Sequence, residues 1–200
     1  MRGRRLLTDV SGASAAEFSL VLPVLVMLIF GIIDTGRWLY TYNKLEKATQ
    51  MGARFAVVTD PVAPGLDTSY VGVGGLTQGD VIPASQFGMI RCTSASCTCV
   101  TTPCPTPGTA DSTAFNAIVN RMRLFAKEVT TGNVTIEYSS SGLGYAGNPN
   151  GPDLSPLVTV QVSSLTFHPM SFLIFKRNGL TMPIFRASLT AEDFKGSQSN

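Results

Sequence analysis

Charge and histidine are what this sequence has least of. Of its 200 residues, 14% are charged and a single one, His168, is a histidine. Beside Pro169, that imidazole belongs to no Ser/His/Asp order and no cysteine–histidine pairing that spacing suggests, and it reads as structural. No Walker loop and no G-x-G-x-x-G occurs, and the Gly72–Gly75 region lacks the lysine and the strand-to-helix context. The four cysteines contain no C-x2-C knuckle, which with one histidine argues against a zinc site. The formal net charge is +2, but it is no argument for nucleic acid. The first 12 residues hold three arginines and one aspartate, leaving 12 basic and 12 acidic side chains after them. No internal repeat is evident. With no nucleophile–base pair, no cofactor site and no small-molecule substrate to name, the chain is not expected to be an enzyme.

What is present begins with an apolar run. From Ala13 to Ile33 the one ionisable side chain is Glu17. As a helix rising ~1.5 Å per residue, this segment spans the ~30 Å hydrocarbon layer of a bilayer. Arg2, Arg4 and Arg5 precede it against a single Asp9, so the positive-inside tendency keeps the N-terminus cytoplasmic and carries everything after Ile33 across. A cleavable secretory peptide fits poorly, because the run is long, no small-x-small site follows it and helix-forming sequence continues directly. An uncleaved signal anchor is the stronger competitor. Glu17 is the odd residue, since a carboxylate at the bilayer centre costs ~2.5–3.5 kcal/mol. Either it lies solvated at headgroup depth or it pairs with a positive group. A cut after Gly12 would give Ala13 a new α-ammonium, and in a packed assembly Glu17 could neutralise that of a neighbouring subunit.

The basic leader, the glycine, four small residues, then Glu-Phe and an apolar helix resemble a class III (type IVb-like) prepilin signal. The longer string GASAAEFSLVLPVLVMLIFGIIDTGRWLY, followed by ATQMGARFAV, resembles the TadE-like family of Tad/Flp pilus proteins, small pseudopilins cut by a dedicated prepilin peptidase. The resemblance covers roughly Gly12 to Val58, with a looser echo in the C-terminal 45 residues. Pro23, the Gly31…Gly36-Arg37 pair and the Gly52-Ala53-Arg54 triplet make it specific. It implies a minor pilin or pseudopilin with leader 1–12 removed between Gly12 and Ala13. It further implies insertion in the bacterial inner membrane with a periplasmic C-terminal domain. The Tad assembly machinery would then move the subunit to join other pilins in a surface pilus, contributing to pilus assembly and adhesion. A reading from another class is a bitopic envelope protein, not incorporated into a pilus, whose extracytoplasmic domain binds a ligand or surface.

The expected fold is α+β and pilin-like. Beyond the transmembrane part (13–33), Trp38, Tyr42, Leu45, Thr49, Gly52 and Ala56 fall within an ~80° arc at 3.6 residues per turn, with Lys44, Lys47 and Arg54 opposite. Residues 34–60 therefore read as the periplasmic, amphipathic part of the same helix, ended by Asp60-Pro61. A helix from Ala13 to Thr59 is ~70 Å long, the stalk of a lollipop-shaped subunit, with Pro23 kinking it or loosening one turn. Residues 61–110 read as an irregular, cysteine-containing loop, with short edge strands near Val71, Val73 and Val81-Ile82. Residues 111–195 hold a second amphipathic helix, capped by Asp111-Ser112, with Phe115, Ile118, Val119, Met122, Phe125, Ala126 and Val129 on one face and Gly132 closing it. Three alternating strands follow, around Val134–Tyr138, Val158–Val162 and Phe185–Ala191, in a three-stranded or slightly larger antiparallel sheet. A bulge is expected at Ser163-Ser164 and a frayed tail at Lys195–Asn200; Phe172–Phe175 reads as a core strand or, alternatively, as a contact with a partner subunit or the membrane surface.

Cys92, Cys97, Cys99 and Cys104 are spaced C-x4-C-x-C-x4-C. Translocation would place them in an oxidising compartment, where two disulfides staple a loop too rich in proline and glycine to hold itself. Bridging Cys97 to Cys99 across one residue is strained, which leaves 92–97/99–104 or the crossed 92–99/97–104. The family resemblance does not extend to these cysteines.

Overall fold

The computed structural model describes residues 13–149, 151–171 and 178–191. The leader with Gly12, the Phe172–Phe175 run and the C-terminal tail lie outside the described residues. The chain divides into two compact units, Met1–Thr41 with Thr166–Leu180, and Tyr42–Leu165 with Thr181–Asn200. Helix α1 (Ala13–Ala56) is 44 residues long and continues through Pro23, which has no N–H to offer the Ser19 carbonyl.

In the second unit, α1 buries Leu45, Ala48, Thr49, Gly52, Ala53 and Ala56, a spacing of three and four that lays them along one face. The helix ends at Ala56 rather than Thr59. Its last turn tightens, with the Val58 N–H donating to the Phe55 carbonyl at 3.2 Å and the Thr59 hydroxyl to the same carbonyl at 3.0 Å. Helix α2 (Ser112–Arg123) starts where Asp111 accepts from the N–H groups of Thr113 and Ala114 at 2.8 and 3.1 Å, as an N-cap should. It stops earlier than the apolar spacing predicts. Past Arg123, the N–H of Ala126 makes a last helical bond to Met122, while those of Phe125 and Val129 bond three residues back, to Met122 and Ala126, so Val129 stays buried like Ala126 after the helix has given way to tightened turns.

The sheet has five strands, β1 (Met89–Cys92), β2 (Cys97–Thr101), β3 (Val134–Ser139), β4 (Leu157–Val162) and β7 (Phe185–Thr190), in the order β2-β1-β3-β4-β7. All neighbours are antiparallel. The registers Ile90↔Tyr138, Tyr138↔Val158, Ile136↔Val160 and Val162↔Phe185 put the buried side chains on one face, which α1 and α2 cover. Tyr42 meets Phe185 edge-on at 5.0 Å between ring centroids. Strands β1 and β2 lie inside the stretch expected to be irregular. Around them it is loop, with Val73–Gly75 a 3-10 turn and Val81 in an isolated bridge to Tyr145. After β4 the chain leaves the sheet instead of bulging within it. Ser164 takes φ 58°, and β5 (Thr166–Phe167) pairs with β6 (Leu180–Thr181) as a separate two-stranded ladder.

Two close fits hold the second unit together. A Cβ on Gly52 would stand 2.7 Å from Cγ and Sδ of Met122, so the hydrogen side chain sets the approach of α1 to α2. The fully buried Tyr138 hydroxyl accepts the Val62 N–H at 3.0 Å, tying the exit of α1 to the central strand. Burial pushes this phenol well above its ordinary pKa, so it stays neutral. Gly52→Val is expected to cost about 1–3 kcal/mol by overpacking. Tyr138→Phe is expected to cost about 1–3 kcal/mol by leaving a buried N–H unpaired. Urea unfolding of the detergent-solubilised chain measures both.

Candidate assembly surface

Among the described residues, nothing covers the apolar first half of α1. Phe18, Leu20, Val21, Val24, Met27, Leu28 and Ile32 are all more than half exposed. The most apolar 18-residue window has a mean hydropathy of 2.5. Apolar surface of this extent is not left in water; it takes lipid or other helices. Glu17 lies exposed on α1, ahead of the apolar run.

Where the apolar run ends, the first unit holds a clamp. The Asp34 side chain accepts the main-chain N–H groups of Met170 at 2.7 Å and Ser171 at 2.8 Å. Arg37, one turn on, pairs with the same carboxylate at 3.3 Å and lies 5.5 Å from the centre of the Phe167 ring, within cation–π range. Asp34 is 7% exposed. The segment around β5 and β6 is thus fixed to the helix by main-chain donors. Gly179 lets it fold back, since a Cβ there would be 2.4 Å from Cγ2 of Thr166 and 2.5 Å from the Phe167 carbonyl oxygen. Beside the clamp is a cavity of about 310 Å³ lined by Gly31, Trp38, Phe167, Pro169 and Leu180 among others. His168 is exposed in the turn after β5.

In the second unit Cys92, Cys97 and Cys99 sit on the β1–β2 hairpin and Cys104 lies just past its end. Cys92 is bonded to Cys97, its register partner, and Cys99 to Cys104, one of the two connectivities that spacing left open. A second knot was not legible in the sequence. Asp153, 5% exposed, accepts the N–H groups of Tyr70 (2.6 Å), Gly147 (2.8 Å) and Asn148 (2.9 Å) and the Ser69 hydroxyl (3.2 Å). Two loops, the one carrying Ser69 and Tyr70 and the β3–β4 connection, converge on one carboxylate. Burial alone would raise its pKa, but these donors outweigh it and hold the carboxyl below the usual range. Burial likewise raises the neighbouring Tyr70 phenol to about 12. Because Asp153 spends both oxygens on its own chain, the shallow depression beside it, with Ser69 and Asn148 on its wall, offers no free carboxylate to a ligand. Among the described residues, no group of three or more His, Cys, Asp or Glu side chains could hold a metal ion.

Residues 12–54 match the model of the TadE-like protein family. No curated protein and no solved structure matches the chain. The matched stretch contains Glu17, Asp34, Arg37 and Gly52; the disulfide hairpin and the Asp153 knot lie beyond it.

The depressed Asp153 pKa fixes a sign. A carboxyl whose folded pKa lies below its unfolded value of ~3.9 stabilises the fold above that pH, and the contribution is lost as pH falls through the folded pKa. Asp153→Asn is expected to lose about 2–3 kcal/mol near neutral pH. The gap between variant and parent should narrow below about pH 4, as followed by thermal melting across that range.

Proposed function

We propose that this chain, TadE-like over residues 12–54, is a minor pilin or pseudopilin of a Tad/Flp-type pilus with no catalysis of its own. The family match points to a Tad pilus assembly-related protein. The observation that supports the finer reading is the bare apolar stretch of α1, in which Glu17 is the one carboxylate before Asp34. In this reading a prepilin peptidase removes residues 1–12. Residues 13–33 hold the subunit in the inner membrane with the sheet domain in the periplasm. Assembly then exchanges lipid around α1 for the helices of other pilins, and the pilus carries the domain to the cell surface, where it contributes to adhesion. Glu17 is the assembly charge. It meets the Ala13 ammonium of a neighbour, and because a buried charge left alone costs more than a pair gains, it sets the axial register between subunits. The disulfides at Cys92–Cys97 and Cys99–Cys104 suit an oxidising compartment.

Intact mass of the protein from native membranes tests the first step. A chain starting at Ala13 is expected, and one starting at Met1 would leave Glu17 without its partner. For the second step, Glu17→Ala should insert in the membrane at parental levels. Its amount in sheared pili should fall about a hundredfold or more, since an unpaired buried charge costs about 3–5 kcal/mol; normal incorporation refutes the role.

A further inference from the structure

We propose that the β5–β6 ladder, through Met170 and Leu180, is a second membrane contact. It seats on the lipid surface where α1 leaves the bilayer and is held there by Asp34. The inference rests on reading residues 13–33 as the span. On that reading Asp34 is the first residue past the hydrocarbon, and the cavity wall from Gly31 to Trp38 covers ~10 Å of helix, about the thickness of the headgroup layer with the last of the acyl chains.

Three observations converge on lipid as the occupant. The cavity is continuous with surface that is lipid-facing on the same reading, because Gly31 belongs to the apolar run. Non-helical backbone near the hydrocarbon is tolerated only where its polar groups are satisfied, and here the Asp34 carboxylate takes up the two N–H groups of Met170 and Ser171. Met170 and Leu180 are nevertheless left 46% exposed each, on the same segment whose main chain is secured. In the same geometry, Arg37 and Asp34 neutralise one another at the boundary, where either charge alone is costly.

The test uses the full chain with its sole tryptophan moved. In a Trp38→Phe background, single tryptophans are placed by Leu28→Trp, Met170→Trp or Leu180→Trp. Each protein is reconstituted in vesicles of phosphatidylcholine and phosphatidylglycerol carrying lipids brominated near the headgroup or at mid-chain. Leu28→Trp should be quenched most by mid-chain bromine. Met170→Trp and Leu180→Trp should be quenched about two-fold or more, chiefly by bromine near the headgroup. Adding Asp34→Asn, which replaces one acceptor oxygen by a donor, should remove most of the quenching at position 170 and leave position 28 unchanged. Quenching at 28 without quenching at 170 and 180 overturns this proposal and leaves the span standing. No quenching at any of the three overturns the span and the proposal together. Unchanged quenching at 170 in the Asp34→Asn protein overturns the role given to Asp34.

Discussion

An apolar helix face left bare among the described residues must be covered by something else, and that demand organises this protein. The exposed side chains from Phe18 to Ile33 are stable only against lipid or other helices. Every polar feature nearby can be understood as keeping that surface usable. Glu17 is the one ionisable group the run tolerates, and Asp34 closes the run with its charge already spent on Arg37 and two main-chain donors. The second unit solves a different problem, burying one face of a sheet under two helices in water. That job is done by small residues along α1 and by the snug contact of Gly52 with Met122.

The same economy appears at Asp153. A loop-rich domain of this size has many main-chain N–H groups outside ladders and helices, and unpaired ones are costly when buried. One carboxylate answers three of them and a hydroxyl, replacing a stretch of regular structure by a single side chain. Asp34 does likewise with two. In both cases an acidic residue that might be read as a ligand or a catalyst is consumed by its own fold.

How much of this could be read from sequence follows from where the information lies. The long helix, α2 and the strands β3, β4 and β7 announce themselves by periodicity, because Leu45 to Ala56, Phe115 to Met122, and Val134, Ile136 and Tyr138 repeat at the spacing of their elements. Strand β2 does not, since Thr98 to Thr101 are all exposed and a strand wet on both faces has no alternation to detect. The end of α2 was overrun because Val129 keeps the apolar spacing after the helical bonds have stopped. Asp153 and Asp34 were silent for another reason: their partners are main-chain groups, which have no residue type, and for Asp34 they lie 136 and 137 positions away. The cysteine pairing needed the hairpin, because spacing alone left two connectivities open.

That hairpin also bears on the order in which the domain matures. Each bridge joins cysteines five positions apart, so neither waits for a distant part of the chain. A polypeptide delivered across a membrane from its N-terminal side would present Cys92 to Cys104 before β3, β4 and β7 had emerged. Both bonds could close on a stretch that has only just arrived. All four thiols could then be paired before the central strands assemble.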